Sequence, residues 1–323
     1  MMILTLRPYA GEADLHPIAD LLNTCEAVDH LDEGISVEEL REDLADPRLD
    51  PGRDVHLWED AGGTLIGYAE VWAPEPQPGE AADGFLWFKV HPEARGLGLE
   101  AQIVTWGEER MREVARTRAG RAKLRSGARS DDTGRLALLD RLGFATARYF
   151  LRMARPLSKP IPEPRFPEGF TLRHVAGERD ADAWVAMFNE SFIDHWNHHP
   201  KTVEIFKHIR ADDGYRAEQD LIALAPDGTF AAFCYCRVHP EENARSGRNE
   251  GWVHALGTRR GFRKIGLGRA LLLAGLHRLK ADGVDTAILS VDAASPTGAT
   301  RLYESVGFRK IHTYVACARA VEP

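Results

Sequence analysis

Residues 5–23 (TLRPYAGEADLHPIADLLN) align without gaps on residues 171–189 (TLRHVAGERDADAWVAMFN), and eight of the nineteen positions are identical. The later parts of the two copies align as well, LLDRLGFATARY (138–149) on LYESVGFRKIHT (302–313). A repeat of this length means one folding unit built twice. The 323 residues suit two domains. Between the copies, prolines at 156, 160, 162, 164 and 167 favour an extended chain and remove backbone donors. The sequence therefore divides into a first domain at 1–157, a proline-rich linker at 158–168 and a second domain at 169–323.

Each copy carries the same order of elements. A short strand (ILTLRP; FTLRHV) leads to two helical stretches, then a hairpin with its turn at DAGG (60–63) or PDG (226–228). A central strand follows (GFLWFKV; GWVHALG), then a glycine-bearing loop and a long helix. In the second copy that helix places Leu267, Leu271, Leu272, Leu276 and Leu279 on one face, with Gly283 past its end. Another strand and a short helix come next, and the final segment GFRKIHTYVACARAV reads as a terminal hairpin. Alternating strands and helices around a hairpin imply an α/β fold with a mixed sheet and helices on both faces.

Composition excludes several classes of function. A net charge of −8 gives no concentrated basic face for nucleic acid. No apolar run approaches the ~18 residues of a membrane span, and the N-terminus turns polar too early for a secretory signal. A cytoplasmic protein is expected, as monomer or homodimer. Cys25, Cys234, Cys236 and Cys317 read as buried small hydrophobes in a reduced protein, and no metal is expected.

The loops after the central strands decide where chemistry resides. RKIGLG (263–268) opens the second long helix and RGLGLE (95–100) the first. The first amides of a helix lack intrahelical acceptors, and the macrodipole adds partial positive charge, so such a loop is an anion site. Arg259, Arg260, Arg263, Lys264 and Arg269 surround the second copy's loop and suit a diphosphate. In the first copy Glu100 replaces the second glycine. It suits the helix dipole by roughly 0.3–1 kcal/mol but would repel a phosphate.

Together, R-x-x-G-x-G after a strand and A-x-x-L-Y-x-x-x-G-F some thirty residues later resemble the GNAT N-acetyltransferase superfamily. Arg263, Gly266 and Gly268 match its first motif; Ala299, Leu302, Tyr303, Gly307 and Phe308 match its second. The first copy matches more loosely, through Arg95, Gly98, Leu138, Gly143 and Phe144. The resemblance implies two tandem GNAT-like domains, each a mostly antiparallel twisted sheet with one splayed parallel strand pair. It implies acetyl-CoA as co-substrate and direct transfer of acetyl to a primary amine in a ternary complex. It places the pyrophosphate on Arg263, Lys264, Ile265, Gly266, Leu267, Gly268 and Arg269, the thioester against Leu256-Gly257-Thr258, and the pantetheine near Ser295, where the family often has asparagine. Tyr303 holds the family's general-acid position, where it protonates the leaving thiolate.

Transfer from a thioester needs a neutral amine and hence a proton acceptor. Glu250 has the spacing of the base in some family members, and His254 lies four residues on, on the same strand face. Glu250 is preferred, acting through a water; a solvated strand end and a satisfied core histidine are the alternatives. Leu139 stands where Tyr303 stands, so the first copy is read as degenerate and the second as catalytic. On the acceptor side, the segment NESFIDHWNHHP (189–200) offers Asp194 to hold a cationic amine, with His195 and Trp196 beside it. The matching segment of the first copy is acidic, through Glu26, Asp29, Asp32 and Glu33. A small-molecule amine is the expected acceptor. A peptide amine, or a non-catalytic acyl-CoA-binding module, is the alternative.

Overall fold

The computed structural model describes residues 4–74, 81–118, 121–212 and 214–322. The chain forms two compact units, one of residues 1–148 with 314–323 and the other of residues 149–313. Unit 1 contains β1 (Thr5–Pro8), α1 (Leu15–Asp29), α2 (Val37–Leu44), α3 (Pro51–Asp54), β2 (Val55–Glu59), β3 (Leu65–Trp72), β4 (Ala82–Val90), α4 (Leu99–Arg118), β5 (Ala122–Arg129) and α5 (Thr133–Arg141). The chain leaves it within β6 (Ala145–Pro156). Unit 2 then holds β7 (Thr171–His174), α6 (Ala181–Phe192), α7 (Val203–Ala211), β8 (Asp220–Leu224), β9 (Phe230–Val238), α8 (Pro240–Ser246), β10 (Glu250–Thr258), α9 (Leu267–Ala281), β11 (Thr286–Asp292) and α10 (Ala299–Ser305). The last strand, β12 (Arg309–Val321), returns to unit 1, where Tyr314 to Val321 pair with β5.

These divisions differ from the blocks read from the sequence. Residues 150–156 of β6 pair with β11 of unit 2, so each unit ends its sheet with a strand from outside its own repeat. The terminal segment is one strand of 13 residues, not a hairpin, because its alternating pattern has no turn residue to break it. The proline-rich segment lies against unit 2: Ile161 and Phe166 pack on its core, and buried Arg155 donates to the carbonyls of Pro160 (2.8 Å) and Val306 (2.7 Å).

The repeated Thr-Leu-Arg and Gly-Glu-x-Asp residues make the same staple in both units. Arg7 donates to Asp14 and Arg173 to Asp180, each at 2.7 Å at closest, and each aspartate also accepts a backbone N–H, from Ala10 or Ala176. The staple ties the first strand to the start of the first helix. Within each unit the strands pair antiparallel except for one parallel pair, β4–β5 in unit 1 and β10–β11 in unit 2. Helices cover both faces. In unit 2, Trp184, Met187 and Phe206 of α6 and α7 pack on one face, and Leu271, Leu272 and Leu276 of α9 on the other. All four cysteines are buried and free, and Cys234 and Cys236 face Gly275 of α9, where a Cβ would lie within 3 Å of both sulfurs.

The parallel pairs are short. β4 meets β5 only from Ala82 to Phe85, and β10 meets β11 only from Glu250 to Trp252. Beyond those points the strands diverge, and each unit has a V-shaped opening toward its glycine loop. In β10 the register with β9 also shifts at His254, which makes a one-residue bulge; β4 pairs regularly with β3 throughout. A bulge adds twist and re-aims the side chain it carries.

Beside α6, the buried carboxyl of Asp220 accepts from Trp184 Nε1 (3.3 Å) and the Tyr215 hydroxyl (3.1 Å). Burial pushes its pKa up to about 7. The folded state therefore keeps a proton that the unfolded chain loses near pH 4, and this group's stabilisation is full below that value and lost as pH rises toward 7. Asp220→Asn should gain stability relative to wild type between pH 4 and 7, by on the order of 1–3 kcal/mol in urea unfolding. An unchanged difference across that range would contradict the assignment.

Candidate active site

The loop between β10 and α9 presents a row of unused donors. Among the described residues, no acceptor is bonded to the backbone N–H groups from Lys264 to Arg269; the first amide of the helix to find a partner is that of Ala270, on the Gly266 carbonyl (3.0 Å). The path depends on two left-handed residues, Gly266 (φ 97°) and Lys264 (φ 65°). Gly266 caps α9 and needs that conformation, which L side chains adopt at a cost of roughly 1–2 kcal/mol. Gly268 does not: it is helical, and a Cβ there would sit in ordinary contact with Thr258 Oγ1 (3.4 Å) and Leu302 (3.7 Å). What Gly268 supplies is space in the first turn of the helix.

The basic residues around the loop are not equivalent. Arg263 is a brace. It donates to the carbonyls of Thr258 (3.0 Å) and Ser191 (2.9 Å) and to Asp194 (2.6 Å). Arg259 pairs with Glu190 (2.7 Å), Arg260 with Asp194, and Arg269 donates to Ser305 Oγ of α10 (2.7 Å). Lys264 and Ile265 stand exposed at the tip, and Leu267 is buried in the core. Thus both oxygens of Asp194, assigned from sequence to the acceptor, are engaged by arginines of the loop. His195 Nδ1 is held by the Trp196 carbonyl (2.8 Å), and the Trp196 ring lies against Phe150 (5.8 Å). Ser295 lies in the turn after β11, its hydroxyl 3.0 Å from that of Thr297.

On the strand, Leu256, Gly257 and Thr258 follow the bulge and line the open stretch of β10. Gly257 is glycine for packing: a Cβ would come within 2.4 Å of Phe233 and 2.8 Å of Ser191. Glu250 lies on the closed end, opposite Thr286, with its carboxylate 3.1 Å from Arg248. His254 sits at the bulge, solvent-accessible but closely ringed by protein, its ring edge-on to Tyr235 (5.4 Å). That enclosure, with Lys201, Arg237 and His239 nearby, pushes its pKa down to about 4, so the imidazole is neutral at pH 7. Tyr303 projects from α10 into the core beside Phe308, and burial raises its pKa well above the usual phenol value. Its hydroxyl has no hydrogen-bond partner among the described residues.

Unit 1 has the same frame with its openings filled. Arg95 braces the loop as Arg263 does, donating to the carbonyl of Val90 (3.0 Å) and to Asp29 (2.6 Å). The buried Glu100 carboxylate accepts from the Gly96 N–H (2.8 Å), so the helix supplies its own anion. Arg135, at the position of Ala299, reaches from α5 to β4 and stacks on Phe88 at 3.5 Å, beyond the last β4–β5 pair. Leu139, at the position of Tyr303, is fully buried. The acidic segment is used within the unit: Glu26 accepts the N–H groups of Leu31, Asp32 and Glu33, while Asp29 and Glu33 flank Lys89. The bulge had no sequence signal, since a bulge changes no residue type; the repeat alignment does set Arg135 against Ala299, but not that its guanidinium stacks on Phe88.

Among the described residues no group of three or more histidine, cysteine or acidic side chains is placed to hold a metal, and no helix is long and apolar enough to cross a membrane.

Residues 181–308 match the acetyltransferase (GNAT) family. A mycothiol acetyltransferase of Salinispora arenicola is 34% identical over 319 residues, covering 98% of this chain and 92% of that protein. A GCN5-related N-acetyltransferase from Sphaerobacter thermophilus superimposes with a TM-score of 0.74 at 28% identity, over 99% of this chain and 96% of that one. A tandem GNAT protein from the clavulanic acid biosynthesis pathway has the same fold, with a TM-score of 0.73 at 14% identity over 99% of both chains. With two repeats that share one splayed-sheet frame and relatives matched along nearly the whole chain, the protein belongs to the GNAT acetyltransferase family and is an N-acetyltransferase of tandem architecture.

Proposed function

We propose that unit 2 transfers the acetyl group of acetyl-CoA to the primary amine of a small molecule, and that unit 1 has kept the frame without the chemistry. The observation that carries this reading is the row of unbonded amides from Lys264 to Arg269 at the mouth of the β10–β11 opening. Free N–H groups at a helix N-terminus suit a pyrophosphate, and Gly266 and Gly268 leave that backbone approachable. Leu256, Gly257 and Thr258 offer the unpaired edge of β10 to the pantetheine arm and thioester, with Ser295 on the far side. Bound there, acetyl-CoA supplies an activated acetyl group.

The chain's own groups do the rest. Tyr303 donates the proton that the leaving thiolate needs. Its raised pKa keeps it protonated through neutral pH, and its unpartnered hydroxyl leaves that proton uncommitted. On the other side, His254 is the group beyond the last strand pair, neutral and open to solvent, whereas Glu250 is on the paired stretch beside Arg248. The order of preference drawn from sequence is therefore reversed: His254 faces the amine and accepts its hydrogen bond. Lys201 and Arg237, whose charges act on His254, disfavour an ammonium ion and help present the amine in its neutral, nucleophilic form. The relatives named mycothiol acetyltransferases make a small-molecule amine related to mycothiol the first acceptor to try.

Tyr303→Phe should lower kcat by about 10²–10⁴, the usual worth of a positioned acid. Its acetyl-CoA affinity, read by calorimetry, should stay within a factor of two or so, since the hydroxyl serves departure and not binding. Full activity in this variant would remove Tyr303 from the mechanism, and binding without any turnover in wild type would favour a non-catalytic acyl-CoA-binding module.

A further inference from the structure

Asp194 and Arg260 form an ion pair next to the free amides, and the two arginines on Asp194 differ in how firmly they are held. Arg263 is fixed at three points, two of them backbone carbonyls, and its side chain is 23% exposed. Arg260 lies in the single turn just ahead of the loop, with a side chain 62% exposed. Among the described residues Asp194 is the sole hydrogen-bonding partner of its guanidinium. A phosphate arriving at residues 264–269 therefore meets one cation that cannot move and one that can. A diphosphate carries more charge than a carboxylate and offers more acceptor oxygens to a guanidinium fork.

We propose that Arg260 is shared between the two substrate sites: paired with Asp194 in the free protein, and drawn to the pyrophosphate of the nucleotide thioester when that is bound. Asp194 is then held by Arg263 alone, and its Oδ1 opens to receive the ammonium of an incoming acceptor. This rests on the reading that the loop binds acetyl-CoA. It gives Arg260 a positioning role that spacing alone did not reveal, and it restores to Asp194 the acceptor contact expected from sequence, conditional on the first substrate. Coupling of this kind is reciprocal, so whatever holds Arg260 on Asp194 must weaken the thioester's binding by the same factor.

The sign of one measurement separates this from a purely structural clamp. If Asp194 only buttressed the loop, its loss would weaken acetyl-CoA binding; if it competes for Arg260, its loss tightens binding. Acetyl-CoA is titrated calorimetrically into wild type, Asp194→Asn, Arg260→Gln and the double variant at one ionic strength, with Asp194→Ser in parallel so that the result does not hang on one substitution. The expected result is a Kd about three- to fivefold lower in the Asp194 variants, the scale of an exposed ion pair. Arg260→Gln should bind more weakly than wild type, and adding Asp194→Asn to it should change little. Weaker or unchanged binding in both Asp194 variants overturns the proposal. So does tightening that persists undiminished without Arg260, which would mean simple repulsion by the carboxylate. Absence of binding in wild type would instead strike the acetyl-CoA reading beneath it.

Discussion

The divergence of β10 from β11 after Trp252 is the constraint on which the site depends. Two parallel strands that stayed paired would consume each other's backbone groups and leave nothing to bind. Because pairing stops early, the stretch of β10 from His254 to Thr258 has no β11 partner, and the loop that follows it carries unbonded amides. The bulge at His254 adds local twist on the β10 side. Opening and donors thus come from backbone geometry, and the side chains refine them.

The arginines show how that geometry is held. Three charged side chains of the loop region reach back to the end of α6 and the segment after it, through Glu190, the Ser191 carbonyl and Asp194. The segment after α6 is therefore fastened to the glycine loop and not suspended independently. Individually such exposed pairs contribute about 0–1 kcal/mol to stability. Their value lies in register: they fix the segment after α6 relative to the end of β10.

Much of this was legible in the sequence, and what escaped has physical reasons. The duplication and the order of strands and helices up to the last element are local patterns that reappear in the fold, with the loop glycines ahead of α9 and Tyr303 on the short helix α10. Glu100 could be read as the first helix's own anion because charge at a helix start has a fixed sign preference, and its carboxylate does lie on the Gly96 amide. Arg263 could be placed on the loop but not given its job, since a guanidinium near a phosphate site suits contact and bracing equally. The ends of the sheets were misjudged for a different cause. A long strand such as β12 has the same alternation whether it serves one unit or leaves one for the other, so its pairing with β5 is visible only in three dimensions.

The two units amount to an internal comparison: one frame, with Glu100, Arg135 and Leu139 in one copy where the other has Gly268, Ala299 and Tyr303. In unit 1 the carboxylate of Glu100 returns to the amide four residues before it, and a glutamate at 268 has the amide of Lys264 at the same remove. The measurement that tests the account most directly is a calorimetric titration of acetyl-CoA into wild type and into Gly268→Glu. The account predicts one site per chain in the wild type and none in the variant. Two sites per chain, or binding untouched by the glutamate, would contradict it.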